Sequence, residues 1–207
     1  MGAMRKPRNY VRRKLARLKR GIRRHRDRSA LLAMLPKRAV GAEVGVWKGD
    51  FSARLLRRTK PKELHLIDPW THTEAEGYEK AAFARRDTDE MDAMYREVRK
   101  RFDGQKQVIL HRLSSLDAVA ELGTLDFAYI DGDHTYDAVL ADLNAYWPLI
   151  RPGGFIAGDD YDIKGWWENG VTRAVEAFCA QQSCERTVIG AQFCLRKPGA
   201  DGSSAAR

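Results

Sequence analysis

From residue 39 to residue 196 the chain alternates short apolar runs with segments of helical period, and this alternation restricts the fold more than any other feature. Runs of four to eight apolar residues bounded by Gly, Pro or charged residues read as strands, and the segments between them are long enough for helical crossovers. Strands are expected at 39–46, 63–67, 107–111, 125–130, 154–157, 186–189 and 191–195, and helices at 51–58, 89–102, 115–122, 136–147 and 171–181. Strands joined through helices must lie parallel, so the class is α/β: a mainly parallel seven-stranded sheet with helices on both faces. The last two strands are separated only by a turn at Gly190, which makes that pair antiparallel.

At 207 residues the chain suits one core with appendages. Residues 1–28 hold thirteen Lys or Arg against one acid, Asp27; that is +12 in a chain of net +9, so the rest carries −3. The basic character belongs to the N-terminal end alone. Val11, Leu15, Leu18 and Ile22 recur there at helical spacing, predicting a basic amphipathic helix over 9–25. Its apolar stripe packs on the body with solvated arginines, or residues 5–28 dock on an anionic membrane surface, a nucleic acid or another partner; the sequence is also compatible with an oligomer. The expected division is 1–30 for this extension, 31–196 for the α/β domain and 197–207 for a disordered tail rich in Gly, Ser and Ala. Cys179, Cys184 and Cys194 lack paired spacing and read as reduced. With no apolar run long enough for a span and no secretory signal, a cytoplasmic protein is expected, or one peripheral at the membrane.

In an open α/β sheet, ligands gather beyond the carboxyl ends of the strands. The first strand ends in Glu43-Val44-Gly45-Val46-Trp47-Lys48-Gly49, where the glycines admit a ligand close to the backbone and the next helix offers free N–H groups. A carboxylate there suits an ammonium better than a pyrophosphate; a loop that merely turns the chain is the alternative. The second strand ends at Asp68, about twenty residues after Gly49, placed to accept the hydroxyls of a ribose, or else to cap the following segment. Two further strands end in Asp131-Gly132-Asp133-His134 and Asp159-Asp160-Tyr161. On adjacent parallel strands Asp131, Asp159 and Asp160 come together, and three carboxylates at one rim call for a hard cation such as Mg²⁺ or Mn²⁺ unless the cluster is purely structural. Asp133 and Asp137 are weaker candidates, since either can cap the next helix. His134, next to the expected ion, is a candidate general base or a loop anchor.

These strand ends resemble the class I S-adenosylmethionine (SAM) dependent methyltransferases, in particular the macrocin-type sugar O-methyltransferases. The likeness is carried by Tyr129-Ile130-Asp131-Gly132-Asp133-His134-Thr135-Tyr136 and Pro152-Gly153-Gly154-Phe155-Ile156-Ala157-Gly158-Asp159-Asp160-Tyr161, and extends over roughly 39–196. It implies a Rossmann-like fold with SAM as cofactor. By the same resemblance Glu43, Gly45, Gly49 and Ser52 face the methionine part of SAM, Asp68 holds the ribose, and Ser114 and Ser115 approach the adenine. Asp131, Asp159 and Asp160 match the acids that bind Mg²⁺, and His134 matches a base proposed for some members; on the mechanism expected here, His134 or Asp131 receives the proton. The N-terminal basic helix matches no signature of the family.

The implied reaction is metal-assisted methylation of a hydroxyl on a small molecule, a sugar, glycoside or other vicinal diol. Trp70, His72, Tyr78, Phe83, Arg85 and Arg86 are expected on one wall of the acceptor site, and Trp166 and Trp167 on another; ordinary packing is the alternative for the aromatics. Two other functions use the same features. One is methylation of RNA or another nucleic acid gripped by the basic arm, although the Asn/Asp-Pro-Pro-aromatic loop of base-amine methylation is missing. The other is a non-enzymatic SAM-fold module anchored to an anionic membrane.

Overall fold

The computed structural model describes residues 8–199 except 75, 76, 82 and 183, with side chains from residue 21 onward. Among the described residues seven strands form one sheet: β1 (Val40–Val44), β2 (Glu63–Ile67), β3 (Val108–His111), β4 (Leu125–Ile130), β5 (Ile150–Gly158), β6 (Glu185–Ile189) and β7 (Gln192–Arg196). Their order is β3-β2-β1-β4-β5-β7-β6. β1 lies parallel between β2 and β4, β3 and β5 extend the parallel set, and β7 runs antiparallel to both β5 and β6. β5 starts earlier than expected because Pro152 and Gly153 sit in an irregular stretch, where the register jumps from Leu125↔Ile150 to Phe127↔Phe155. A bulge of this kind tolerates a proline that cannot donate to the ladder.

The helices are α1 (Arg8–Met34), α2 (Asp50–Thr59), α3 (Thr88–Arg101), α4 (Ser115–Ala118), α5 (Tyr136–Tyr146) and α6 (Gly170–Gln181). Asp87 and Glu90 close a capping box at the start of α3, which fixes where that helix begins. α1, α2 and α3 cover one face through Leu31, Leu55, Met91 and Val98, packed on Phe127 and Tyr129 of β4. α5 and α6 cover the other through Val139, Leu143, Val175 and Phe178, packed on Ala128 and Ile130. Successive residues of β4 thus face opposite layers, and because both layers are apolar the strand reads as a continuous hydrophobic run from Phe127 to Ile130.

α1 is longer than its sequence pattern suggests. It continues to Met34, and Leu31, Leu32 and Leu35 are buried at its C-terminal end, whereas Ile22 of the expected apolar stripe is 63% exposed. The side chains of Val11, Leu15 and Leu18 lie outside the described residues. The expected boundary at residue 30 therefore falls inside one helix, which is rooted in the core of the main domain. At the other end, Lys197 is tied down by its backbone N–H to Gly154 and by its ammonium to the carbonyls of Trp147 and Ile150. The tail expected at 197 lies outside the described residues from 200 onward.

Candidate active site

The site is built at the carboxyl rim where β1, β4 and β5 lie side by side. Gly45 leaves β1 with φ +87°, and a Cβ there would overlap the carbonyl oxygen of Asp131. Only glycine fits, because the turn needs a left-handed backbone and the two strand ends approach at backbone contact. Gly49, at φ +73°, turns the loop into α2. Asp68 braces the same loop: Oδ2 accepts the N–H groups of Val46 and Trp47 at 3.0 and 2.9 Å, and Oδ1 that of Trp70 at 2.8 Å. Burial raises its pKa in spite of these three donors. Glu43 lies beneath the loop, buried, and its Oε2 has no hydrogen-bond partner among the described residues. Burial lifts its pKa to about 8, against the lowering effect of Ser52 beside it.

The acids divide into two groups. In register, Ile130 lies opposite Gly158, so Asp131 and Asp159 leave adjacent strands at the same level. Sheet alternation turns Asp159 toward the face covered by α1. There Oδ2 accepts hydrogen bonds from Arg24, whose Nε is at 2.9 Å, and from Arg28, while Oδ1 accepts one from Gln192. Gln192 in turn accepts the Tyr129 hydroxyl at 2.8 Å. Burial opposes ionisation of Asp159, yet the two guanidinium groups hold its pKa below the usual carboxylate value.

Asp160 leaves the strand end with φ +57°, costly for a non-glycine residue by about 1–3 kcal/mol. It meets His134, whose Nδ1 is 3.4 Å from Asp160 Oδ2 and whose Nε2 is 3.4 Å from Asp131 Oδ1. Ligand atoms of Asp131, His134 and Asp160 lie within 4.8 Å of one another. Burial and the Asp159 charge raise the Asp160 pKa. Burial works to lower that of His134, but the carboxylates around it prevail and raise it. Of the acids expected as metal donors, Asp131 and Asp160 are grouped with His134, whereas Asp159 is engaged by Arg24, Arg28 and Gln192.

A family profile described as a methyltransferase domain matches residues 42–161, more than half of the chain and all the strand ends just described. The chain belongs to the SAM-dependent methyltransferases. This methyltransferase superposes on the O-methyltransferase NovP with a TM-score of 0.59 at 20% identity, over 84% of its own length and 78% of NovP. With the N-methyltransferase NodS from Bradyrhizobium japonicum WM9 the TM-score is 0.58 at 15% identity, over 84% and 96% of the two chains. At these identities the likeness is one of fold, and the fold serves both oxygen and nitrogen acceptors. A stretch of 42 residues is 43% identical to the uncharacterized protein R132 of Acanthamoeba polyphaga mimivirus, and takes in 20% of this chain and 19% of that one. The methyltransferase thus spans about a fifth of the length of that relative.

The other expected site residues of the methyltransferase differ in how far local contacts already engage them. The orphaned Glu43 oxygen beside Gly45 fits a cofactor ammonium. Asp68 keeps only part of its capacity for ribose, since three of its four lone-pair sites are taken by backbone. The Ser114 hydroxyl caps α4, accepting the Asp117 N–H at 3.2 Å, and the Ser115 carbonyl accepts the Tyr146 hydroxyl at 2.8 Å, so both sit after β3 as expected but serve local structure. Trp70, expected on the acceptor wall, is fully buried, donates to the Trp47 carbonyl at 2.9 Å and packs on Tyr95. Arg86 is engaged by Glu90 at 2.9 Å. Tyr78, Phe83, Trp166 and Trp167 do form a continuous aromatic wall that ends on His134, with Trp167 and His134 ring centres 4.6 Å apart. Tyr78 donates to Asp133, which also accepts the Thr135 N–H at 2.8 Å; Asp133 is thereby a loop brace.

Arg24, Arg28 and Gln192 were not foreseen. An i, i+4 pair on a helix does share one face, but the sequence offers thirteen basic residues and nothing to separate these two from the rest.

Proposed function

We propose that this chain transfers the methyl group of SAM to a hydroxyl of a small molecule, a sugar, glycoside or other vicinal diol, with help from a divalent cation such as Mg²⁺ or Mn²⁺. The observation that supports this most directly is the convergence of Asp131, His134 and Asp160 beside the Gly45 turn. It sets a cation-seeking group against a cofactor loop at one rim.

Glu43, Gly45 and Gly49 receive the methionine end of the cofactor, and Asp68 offers its remaining lone pair to the ribose. SAM supplies an electrophilic methyl carbon on a sulfonium. Asp131 and Asp160 would hold a divalent cation, which when bound would lower the pKa of an acceptor hydroxyl. The two carboxylates supply hard oxygen donors suited to Mg²⁺ and Mn²⁺, which leaves the His134 imidazole its lone pair. His134, set between the carboxylates, receives the proton that the acceptor gives up. The wall of Tyr78, Phe83, Trp166 and Trp167 leads from His134 and offers flat faces to a ring while limiting the access of water.

The test is a screen of nucleotide sugars, glycosides and catechols with labelled SAM. Turnover is expected to stop with EDTA and return with Mg²⁺, and Asp160→Ala is expected to abolish turnover while SAM affinity stays within about threefold. Full turnover in EDTA, or full activity of the Asp160→Ala protein, would refute the metal-assisted reading.

A further inference from the structure

The two arginines bound to the acidic rim are side chains of α1, the basic helix that the methyltransferase signature leaves unexplained. Arg28 Nη2 donates to Asp131 Oδ2 at 2.7 Å and to Asp159; Arg24 donates to Asp159, and its Nη2 lies 3.4 Å from Asp160 Oδ1. Each guanidinium therefore takes the oxygen of Asp131 or Asp160 that is turned away from His134.

Charge counting then favours exchange. Asp131, Asp159 and Asp160 carry three negative charges when ionised, and Arg24 and Arg28 supply two positive ones. A divalent ion added to all five groups gives a small buried site a net positive charge, which costs free energy in a poorly solvated place. One guanidinium leaving restores neutrality. The two arginines differ in how readily they leave. The Arg28 side chain is 15% exposed and lies over the Phe51 ring at 4.8 Å, whereas the Arg24 side chain is 47% exposed. Arg24 can reach solvent by turning about its own side-chain bonds, with α1 still anchored through Leu31, Leu32 and Leu35.

We infer that Arg24 is an intrinsic counter-ion of the acidic rim, displaced when a divalent cation binds, so that α1 sets the affinity of the site for its metal. Arg28 remains as a fixed counter-ion to Asp159 and reserves that acid for holding the helix. This inference rests on the metal-assisted reading proposed above.

Direct Mn²⁺ binding to the full chain tests it, by calorimetry and by the electron paramagnetic resonance signal of free Mn²⁺ at fixed ionic strength. Arg24→Gln is expected to tighten Mn²⁺ binding on the order of tenfold, as removal of a like charge a few ångströms away from the ion requires. Arg24→Lys, which keeps the charge, is expected to stay within about threefold of the parent. Arg23→Gln, an equal loss of charge from a side chain 72% exposed, isolates the effect of net charge and is also expected to stay within about threefold. Equal Mn²⁺ affinity in the parent and Arg24→Gln proteins, or an equal gain in Arg23→Gln, would overturn the inference and leave the metal site standing. Absence of Mn²⁺ binding in every variant would remove both.

Discussion

Replacing Gly45 by alanine asks two things of the protein at once. The residue sits at φ +87°, and the new Cβ would overlap the carbonyl oxygen of Asp131 and crowd the Cα of Gly132. A left-handed backbone costs an L-residue about 1–2 kcal/mol. Relief of the overlap means forcing the ends of β1 and β4 apart, which for a well-packed interior costs about 1–3 kcal/mol more. The sum, about 2–5 kcal/mol, corresponds to a fall in Tm of roughly 4–20 °C for a chain of this size. Gly104 supplies the control: it also has positive φ, at +77°, but nothing lies within 4 Å of its Cβ position. Gly104→Ala is expected to cost only the backbone part. Thermal unfolding of both variants by circular dichroism separates the two contributions, and calorimetric titration with SAM reads the consequence, a loss of more than about tenfold for Gly45→Ala alone. A Gly45→Ala protein no less stable than Gly104→Ala, with parental SAM affinity, would refute the argument that this glycine lets two strand ends meet beneath the cofactor.

Two further predictions concern the scaffold. Asp142 is buried on α5, and burial lifts its pKa to about 6 from an ordinary 3.8 despite the lowering effect of Ser115. The folded protein therefore holds that proton more tightly than the unfolded chain, so stability is greatest below about pH 4 and declines as the pH rises through 6; the loss at pH 7 is about 3 kcal/mol. Asp142→Asn should raise the Tm at pH 7, with the advantage vanishing near pH 4, and a pH-independent difference in urea or thermal melts would contradict it. Leu31→Ala, at a fully buried position under α1, should cost about 2–5 kcal/mol and speed tryptic cleavage within the helix; parental cleavage kinetics would show that α1 is held by something other than this packing.

Much of the sheet can be read from the chain because β4 and its neighbours are buried on both faces, and such strands leave continuous apolar runs that no helix of this length and composition imitates. The helix expected from residue 89 starts one residue earlier, at Thr88, where the Asp87 and Glu90 capping box fixes it. α1 was less legible. Its charge drew attention to residues 5–28, while the leucines that anchor it lie further on, in a stretch whose apolar content reads equally well as the approach to β1. Trp70 shows the same limit: an aromatic residue in a long connection carries no sign of whether it faces ligand or core, and packing on Tyr95 decided for core.

The amino-acid sequence by itself determined that acids and glycines collect at the carboxyl ends of parallel strands, since strand ends follow from apolar runs and the residues after them are fixed by covalent order. It did not determine which way each acid turns. Asp159 and Asp160 are adjacent in the chain yet take different partners: Asp160 meets His134 and shares only the edge of Arg24, while the helix packed overhead captures Asp159 with Arg24 and Arg28. Such a partnership spans more than a hundred residues and exists only once α1 has docked, so tertiary packing alone selects two arginines out of thirteen basic residues.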